Sequence, residues 1–303
     1  MTGHLLDYVI TGGAGFIGSH LAKLLVKQGH RVDIVDNLSV GRLENLAEIK
    51  NKIRFHNVDI CNGTELRQVI AGKDGIFHHA ALTSVPESYT KEKKYFDVNV
   101  HGTENVFDVA HETGTKVVFA SSAGVYGDTK AIPTPESAKL EPINPYGITK
   151  LKAELLAEKY GTKHDIVGLR YYNVYGSNSS MQAGVISKFY QNVTANKPPV
   201  IEGDGKQLRD FVFVDDIAQV TIFAMEKKTG SVFINVGSGV TVSILDLANL
   251  FIKYSKKNLM PVFETEQQGN VRASQADISL AKRLLSWQPE TTLEQWIQNI
   301  FKK

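Results

Sequence analysis

The 303-residue sequence predicts an α/β protein: a doubly wound parallel sheet with a smaller, loop-rich α/β C-terminal unit. Three observations carry the prediction. Short β-rich runs alternate with helical patterns through the first half. A glycine-rich turn links the first run to the first helical pattern, and an aspartate closes the second run.

The elements follow in order. Residues 7–11 (DYVIT), 31–36 (RVDIVD), 53–59 (IRFHNVD), 75–80 (GIFHHA) and 116–121 (KVVFAS) are rich in β-branched and aromatic residues and predict strands. Between them, 17–29, 63–72 and 96–114 carry apolar residues at helical spacing. This alternation implies right-handed crossovers and a sheet buried on both faces. PYGITK (145–150) opens a further helix that continues to residue 160, and 164–176 (HDIVGLRYYNVYG) predicts one more strand. Regularity then falls: GSNSSMQAG and NKPPVIEGDGKQLRD are loop-rich, and DISLAKRLL and LEQWIQNIF close the chain as helices.

Apolar residues make up 42% of the chain, enough for a large core. The net charge of +2 offers neither a nucleic-acid surface nor a polybasic membrane arm. Cys61 is the only cysteine, so an intramolecular disulfide is impossible and a reducing compartment fits best. No charged leader precedes the first strand, and no apolar run approaches the roughly 18 residues of a membrane-spanning helix. The expectation is a cytoplasmic protein with no nucleic-acid or membrane partner.

TGGAGFIG (11–18) spaces Gly12, Gly15 and Gly18 between a strand and a helix. Gly12 can make the tight turn. Gly15, without a Cβ, lets a pyrophosphate approach the helix N-terminus, and Gly18 permits helix-on-strand packing. Glycines also serve ordinary turns, but here Asp36 ends the next strand, where a carboxylate accepts hydrogen bonds from both adenosine-ribose hydroxyls. The same charge repels a 2′-phosphate, which favours NAD over NADP. Asp59, at the third strand end, is placed to face adenine or simply to cap a helix.

Tyr146 and Lys150 stand four residues apart and so share a helix face. Ser121 and Ser122 lie at the carboxyl end of the fifth strand, where open α/β sheets bind ligands. With a dinucleotide fingerprint these residues form a hydride-transfer constellation. A phenol of pKa about 10 is too weak an acid to serve as a base near neutrality, and a neighbouring ammonium and a positive nicotinamide ring would both favour phenolate. Ser122 would hold the substrate oxygen.

TGGAGFIG, Asp36-Asn37, HHAA (78–81), SSAGVYG (121–127), PYGITK, RYYNVYG (170–176) and RDFVFVDD (209–216) together resemble the extended short-chain dehydrogenase/reductase family. The resemblance spans nearly the whole chain and is strongest to the nucleotide-sugar epimerase/dehydratase branch. It implies a Rossmann-type NAD-binding domain over 1–172, with 211–236 returning to it, and a nucleotide-sugar-binding domain over 173–303. It implies Ser122, Tyr146 and Lys150 as the catalytic triad. It also implies a cofactor cleft that adds Phe16, Ile17, Asn37, Ser39, Gly41, Ile60, Ala80, Ala81, Asn99, Ser121 and Tyr171 to the residues above. His78 and His79 have no matching ligand cluster and are read as strand residues, with no metal expected.

Resemblance also narrows the reaction. Dehydratases of this kind usually carry Asp-Glu just after the catalytic serine or threonine, and the decarboxylases a Glu. This chain has Ala123-Gly124, which cannot exchange a proton. That favours epimerisation at carbon 4 of a UDP-sugar substrate; the alternatives are a uronate epimerase, dehydratase or decarboxylase of the same branch, or a non-catalytic NAD-binding sensor, which would have no use for Ser122, Tyr146 and Lys150 together. Arg209, in GDGKQLRDF, would neutralise the substrate pyrophosphate, Asn173 would bond phosphate or sugar, Val185 would lie beside uridine, and Ser84 would touch the hexose. QQGN puts Gln267 and Asn270 where the branch has an arginine and an aspartate, with Arg272 close enough to compensate. Glu202 replaces a customary aromatic. Ser274 aligns with a position where a bulky tyrosine restricts some epimerases to plain hexoses, so its small side chain leaves room for an acetamido group. The resemblance further implies a homodimer through helices 96–114 and 147–160.

Overall fold

The computed structural model describes residues 5–162, 164–177, 184–265 and 271–302. Its first half runs β1 (Asp7–Thr11), α1 (Phe16–Lys27), β2 (Arg31–Val35), β3 (Ile53–His56), α2 (Gly63–Ile70) and β4 (Gly75–His78). It continues through α3 (Val85–Thr90), α4 (Glu92–Phe96), α5 (Gly102–Thr113), β5 (Val117–Ser122), α6 (Pro145–Tyr160) and β6 (Ile166–Tyr171). The second half holds β7 (Asn173–Tyr175), α7 (Val185–Thr194), β8 (Val200–Glu202), β9 (Leu208–Phe213), α8 (Val214–Glu226) and β10 (Val232–Val236). It ends with β11 (Thr241–Ser243), α9 (Ile244–Ser255), β12 (Val262–Glu264), β13 (Ala273–Ser274), α10 (Ser279–Leu285) and α11 (Leu293–Ile300).

Seven strands form one parallel sheet in the order β10-β6-β5-β4-β1-β2-β3. Chain order reverses between β1 and β4, which opens a crevice beyond their carboxyl ends, the place where such sheets bind ligands. Alternation along each strand fills two cores. Tyr8, Ile10, Phe77, Val118, Val167 and Leu169 face one layer with α1, α8 and α10. Val9, Ile76, Val117, Phe119 and Ile166 face the other with α2, α5 and α6. A third core, with Tyr175, Phe189, Phe251 and Trp296, sits beneath the smaller β9-centred sheet.

Two sequence expectations change. The strand expected over 164–176 is two: β6 stays in the large sheet, whereas β7 pairs with β9 in the small one. The break falls at Tyr172, whose amide makes the last bond of the β6–β10 ladder, to the Val236 carbonyl at 3.0 Å, before Asn173 pairs with β9. The helix expected over 96–114 is interrupted by a wide π-type turn at Asp97–His101. That turn presents Asn99 inward, where its amide bonds Leu82 in both directions at 2.8 and 2.9 Å and donates to Thr149 Oγ1 at 3.0 Å. A regular helix has no reason to widen there; wide turns of this kind often serve a site.

Candidate active site

The glycine turn is built as a cradle. Gly12 has φ +68°, and a Cβ there would lie 2.6 Å from the Ala80 nitrogen. A Cβ on Gly18 would come within 2.3 Å of the Gly12 carbonyl oxygen, so helix and turn are in backbone contact. At Gly15 a Cβ would meet only the Gly12 carbonyl oxygen, at 3.1 Å. Helix α1 has no side-chain cap and no acid in its first turn, so the positive end of its dipole, at Phe16 and Ile17, is not neutralised locally.

Asp36 is buried just past β2. Its oxygens accept from Ala14 N at 3.0 Å and Leu38 N at 2.8 Å, which leaves each a further lone pair. Burial raises its pKa, and those two amides oppose the rise. Gly41 passes so close that a Cβ would sit 2.7 Å from the carboxylate. Asn37 joins the two strand ends through Asp59 at 2.9 Å and turns the chain through Ser39 N at 3.0 Å. Ile60 packs under Gly102, and Ala80 N bonds Thr11 Oγ1 at 3.3 Å, with Ala81 beside it. An uncapped helix start, a carboxylate with spare lone pairs and an open Gly15 face fit the phosphate and ribose chemistry of a dinucleotide.

Ser122 ends β5, and Tyr146 opens α6 behind Pro145 and the Asn144 cap, whose side chain accepts from Gly147 N at 2.8 Å. The Ser122 hydroxyl accepts from Gly124 N at 3.0 Å, and its influence on the Tyr146 phenol favours the phenolate. Lys150 is buried one turn on. Its Nζ donates to the Ala120 carbonyl at 2.7 Å and lies 6.0 Å from the Tyr146 ring centre. Ser121, next to Ser122, is bonded instead to Glu154. Tyr171 lies beneath the crevice, its hydroxyl between Thr221 Oγ1 at 2.8 Å and His79 Nε2 at 3.2 Å.

Within the chain alone, burial works against the acidification of the phenol expected from Lys150 and the nicotinamide ring. Burial raises the Tyr146 pKa, and the opposing pull within the chain comes from the Ser122 hydroxyl. The Lys150 ammonium points at the Ala120 carbonyl, and burial lowers its own pKa to about 8. His78 bonds Thr11 and Thr103, and both histidines are pushed down to about 3 by burial. Among the described residues no three His, Cys, Asp or Glu side chains converge as a metal site.

The substrate residues are brought together in part. Arg209 in β9 stands level with Ser274 in β13, a parallel neighbour, and its Nη1 donates to the Leu208 carbonyl at 2.9 Å. Ser274 is a strand residue. Asn173 donates to the Asp210 carbonyl at 3.0 Å, and Val185 opens α7. The Ser84 hydroxyl caps α3, accepting from Glu87 N at 3.3 Å. Arg272 forms a bidentate pair with Asp204 at 2.9 and 3.0 Å. Glu202 lies 3.5 Å from Lys188. Asn270 and Gln267 fall outside the described residues. Sequence reasoning missed the Thr149 and Ala120 supports and the Glu154–Arg170 pair beneath the site. An acid one turn beyond Lys150 was the available signal for the last.

Fold and site thus define a dinucleotide-dependent enzyme on a doubly wound sheet. A model of the NAD dependent epimerase/dehydratase family matches residues 8–237. The chain is 36% identical over 299 residues to UDP-glucose 4-epimerase of Mycolicibacterium smegmatis, with 95% of each chain covered. It matches the structure of UDP-glucose 4-epimerase from Thermotoga maritima with UDP-glucose at a TM-score of 0.93, 32% identity and 98% of each chain. It matches UDP-N-acetylglucosamine 4-epimerase from Methanobrevibacter ruminantium, in complex with UDP-N-acetylmuramic acid, at a TM-score of 0.92 and 33% identity, over 98% of this chain and 97% of the other. The chain belongs to the NAD dependent epimerase/dehydratase family, and NAD is its cofactor.

Proposed function

We propose that the chain is a UDP-sugar 4-epimerase that interconverts UDP-glucose and UDP-galactose, and UDP-GlcNAc and UDP-GalNAc, through a 4-keto intermediate. The supporting observation is the convergence of Ser122, Tyr146 and Lys150 at the end of β5 and the start of α6, with Ala123 and Gly124 where elimination would need acids. Ser122 holds the sugar O4, and the Tyr146 oxygen takes its proton. NAD, which the Gly12–Gly18 turn and Asp36 would hold, would supply the hydride chemistry at carbon 4, taking the hydride and giving it back on the opposite face once the sugar has turned. Tyr146 then gives the proton back to O4, so the chain ends unchanged and the product has the mass of the substrate. Arg209 holds the pyrophosphate through this exchange, its planar fork suited to phosphate oxygens. Ser274, level with Arg209, leaves space for an acetamido group.

The test is incubation with UDP-glucose and with UDP-GlcNAc, followed by separation of the epimers and mass measurement. The expected product is the 4-epimer at unchanged mass. A product lighter by one water or by carbon dioxide rejects the reading. Tyr146→Phe is expected to retain NAD and lose about 10²- to 10⁴-fold in turnover, the usual worth of a positioned acid–base group.

We further infer a homodimer through α5 and α6, supported by Ile148 and Leu155, 41% and 55% exposed on α6. A cytoplasmic site is favoured by the single exposed Cys61. Among the described residues no helix is long and apolar enough to cross a membrane.

A further inference from the structure

We propose that Glu154, which no substrate would touch, is a positioning residue that keeps Lys150 cationic and clamps the strand ends carrying Ser122 and Tyr171. The inference rests on the reading of Tyr146 and Lys150 as the working pair.

Glu154 lies one helical turn beyond Lys150 on α6 and is 2% exposed. Its oxygens accept from Arg170 Nε at 2.9 Å and Nη2 at 2.8 Å, and Oε1 also accepts from Ser121 Oγ at 2.5 Å. Ser121 immediately precedes Ser122 on β5, and Arg170 immediately precedes Tyr171 on β6. One carboxylate therefore ties the helix of Tyr146 and Lys150 to both strands that end at the site. Arg170 is anchored in turn: its Nη1 donates to the Tyr126 hydroxyl at 2.7 Å and the Glu136 carbonyl at 3.1 Å. The Tyr126 hydroxyl donates to Asn235 Oδ1 at 2.7 Å.

A buried ion pair of this kind adds little net stability over a well-packed apolar replacement, so stability alone is a weak reason for it. Its setting offers a better one. Lys150 is enclosed, and the Ala120 carbonyl is a neutral acceptor. Burial works against the ammonium, and the Glu154 carboxylate works for it. The other titratable neighbours do not supply an anion. Tyr146 shares the helix, while His78 and His79, at the end of β4, are kept neutral by burial. Arg170 is a cation bonded to Glu154, Tyr126 is bonded to Arg170, and the Tyr171 hydroxyl is bonded to Thr221 and His79. On the elements packed against α6, the charged groups lie nearer the surface: Glu92 and Lys94 are exposed, and Glu112 pairs with Arg67 of α2. Glu87 pairs with Lys91 and Tyr95, Lys93 with Asp97, His101 with Glu104, and Asp108 with Tyr160.

The experiment titrates Lys150 directly, by the ¹³Cε resonance of lysine-labelled, NAD-loaded protein, assigned through its loss in Lys150→Met. The native midpoint is expected at about 8. Glu154→Gln keeps the shape and removes the charge. It should lower the midpoint by about one to two pH units, the effect of a unit charge one helical turn away at an effective dielectric near 20. Arg170→Met breaks the same ion pair but leaves the carboxylate facing Lys150, so the midpoint should hold or rise. Glu154→Asp should stay within about half a unit of native.

A purely structural pair would move Gln and Met variants alike. A Glu154→Gln midpoint within about half a unit of native, or a shift of both variants in the same direction, overturns the proposal. Should Glu154→Gln fail to fold, a lowered midpoint in Arg170→Met overturns it by itself. The alkaline limb of kcat should follow the Lys150 midpoint while KM holds. Because the NMR titration needs no turnover, an inactive protein with the expected shifts rejects the epimerase reading and leaves the clamp standing.

Discussion

Gly147→Ala probes how closely the helix of Tyr146 is seated against the end of β5. On an isolated helix the change gains about 1 kcal/mol, because alanine loses less backbone freedom than glycine. Here the new Cβ would lie 2.7 Å from the Gly124 carbonyl oxygen and 3.0 Å from Pro142 Cβ. Neither atom is the end of a flexible side chain. Gly124 is held by the Ser122 hydroxyl at 3.0 Å, and its carbonyl also accepts from Gly127 N at 3.4 Å. Ordinary contact returns only if the first turn of α6 withdraws by about 0.7 Å. Overpacking of this sort costs about 1–3 kcal/mol, which outweighs the helix gain. Tyr146 is the preceding residue and retreats with the turn, so its phenol leaves Ser122, and misplacement approaching 1 Å costs up to about 10²-fold in rate. The expected variant melts a few degrees lower, still carries NAD, and turns over about 10- to 100-fold more slowly in a 4-epimerase assay. An alanine variant with a higher Tm and undiminished kcat would refute the seating argument.

Two further outcomes follow from the structure. Ser274→Tyr should depress turnover of UDP-GlcNAc at least about tenfold more than that of UDP-glucose, since one filled pocket position is worth about 1–3 kcal/mol; equal losses would remove Ser274 as a selector. Burial holds His78 and His79 near 3 and lowers His164, while their unfolded values are about 6.5. The unfolded chain therefore takes up protons the folded chain refuses. Stability is whole above about pH 6.5 and falls as the pH drops toward 3, at up to about 1.4 kcal/mol per pH unit for each histidine. Urea unfolding at pH 7 and 5.5, above the carboxylate range, should differ by at least about 2.5 kcal/mol from His78 and His79, and His164→Leu should shrink the difference by less than the loss of either of those two would. An unchanged midpoint would show that these imidazoles ionise inside the fold.

The large sheet was legible because burial on both faces leaves a strong mark. Strands such as YVI and VVF are apolar without interruption, and helices return between them at 3.6-residue spacing. The glycine turn was legible for a related reason: Gly12 and Gly18 stand where any side chain would strike backbone, and such positions admit few alternatives. Tyr172 left no comparable signal. RYYNVYG is β-rich throughout, and only the Val236 carbonyl, drawn in by β10 from sixty-odd residues away, shows where the strand changes sheets. The widened turn at Asn99 was equally silent, since DVNVH keeps helical spacing through it. In the site itself, spacing placed Tyr146 and Lys150 on one helix face. The direction of the lysine was set by Ala120, a carbonyl no side-chain pattern reports, and burial opposes the expected drift of the phenol. The pairing of Arg209 with Ser274 joins strands some sixty residues apart and could be met only in three dimensions.

Strand β10 lies at one margin of the seven-stranded sheet, and helix α8, which leads to it, packs across α1. Both are made only after the polypeptide has already travelled out through β7, α7 and β9. The large sheet and the small one are thus threaded through each other rather than strung in sequence. A fragment ending near Tyr171 would expose the apolar flanks of α1 and β6, so the large sheet is no module to be cut free, and synthesis must proceed past Val236 before that sheet is complete.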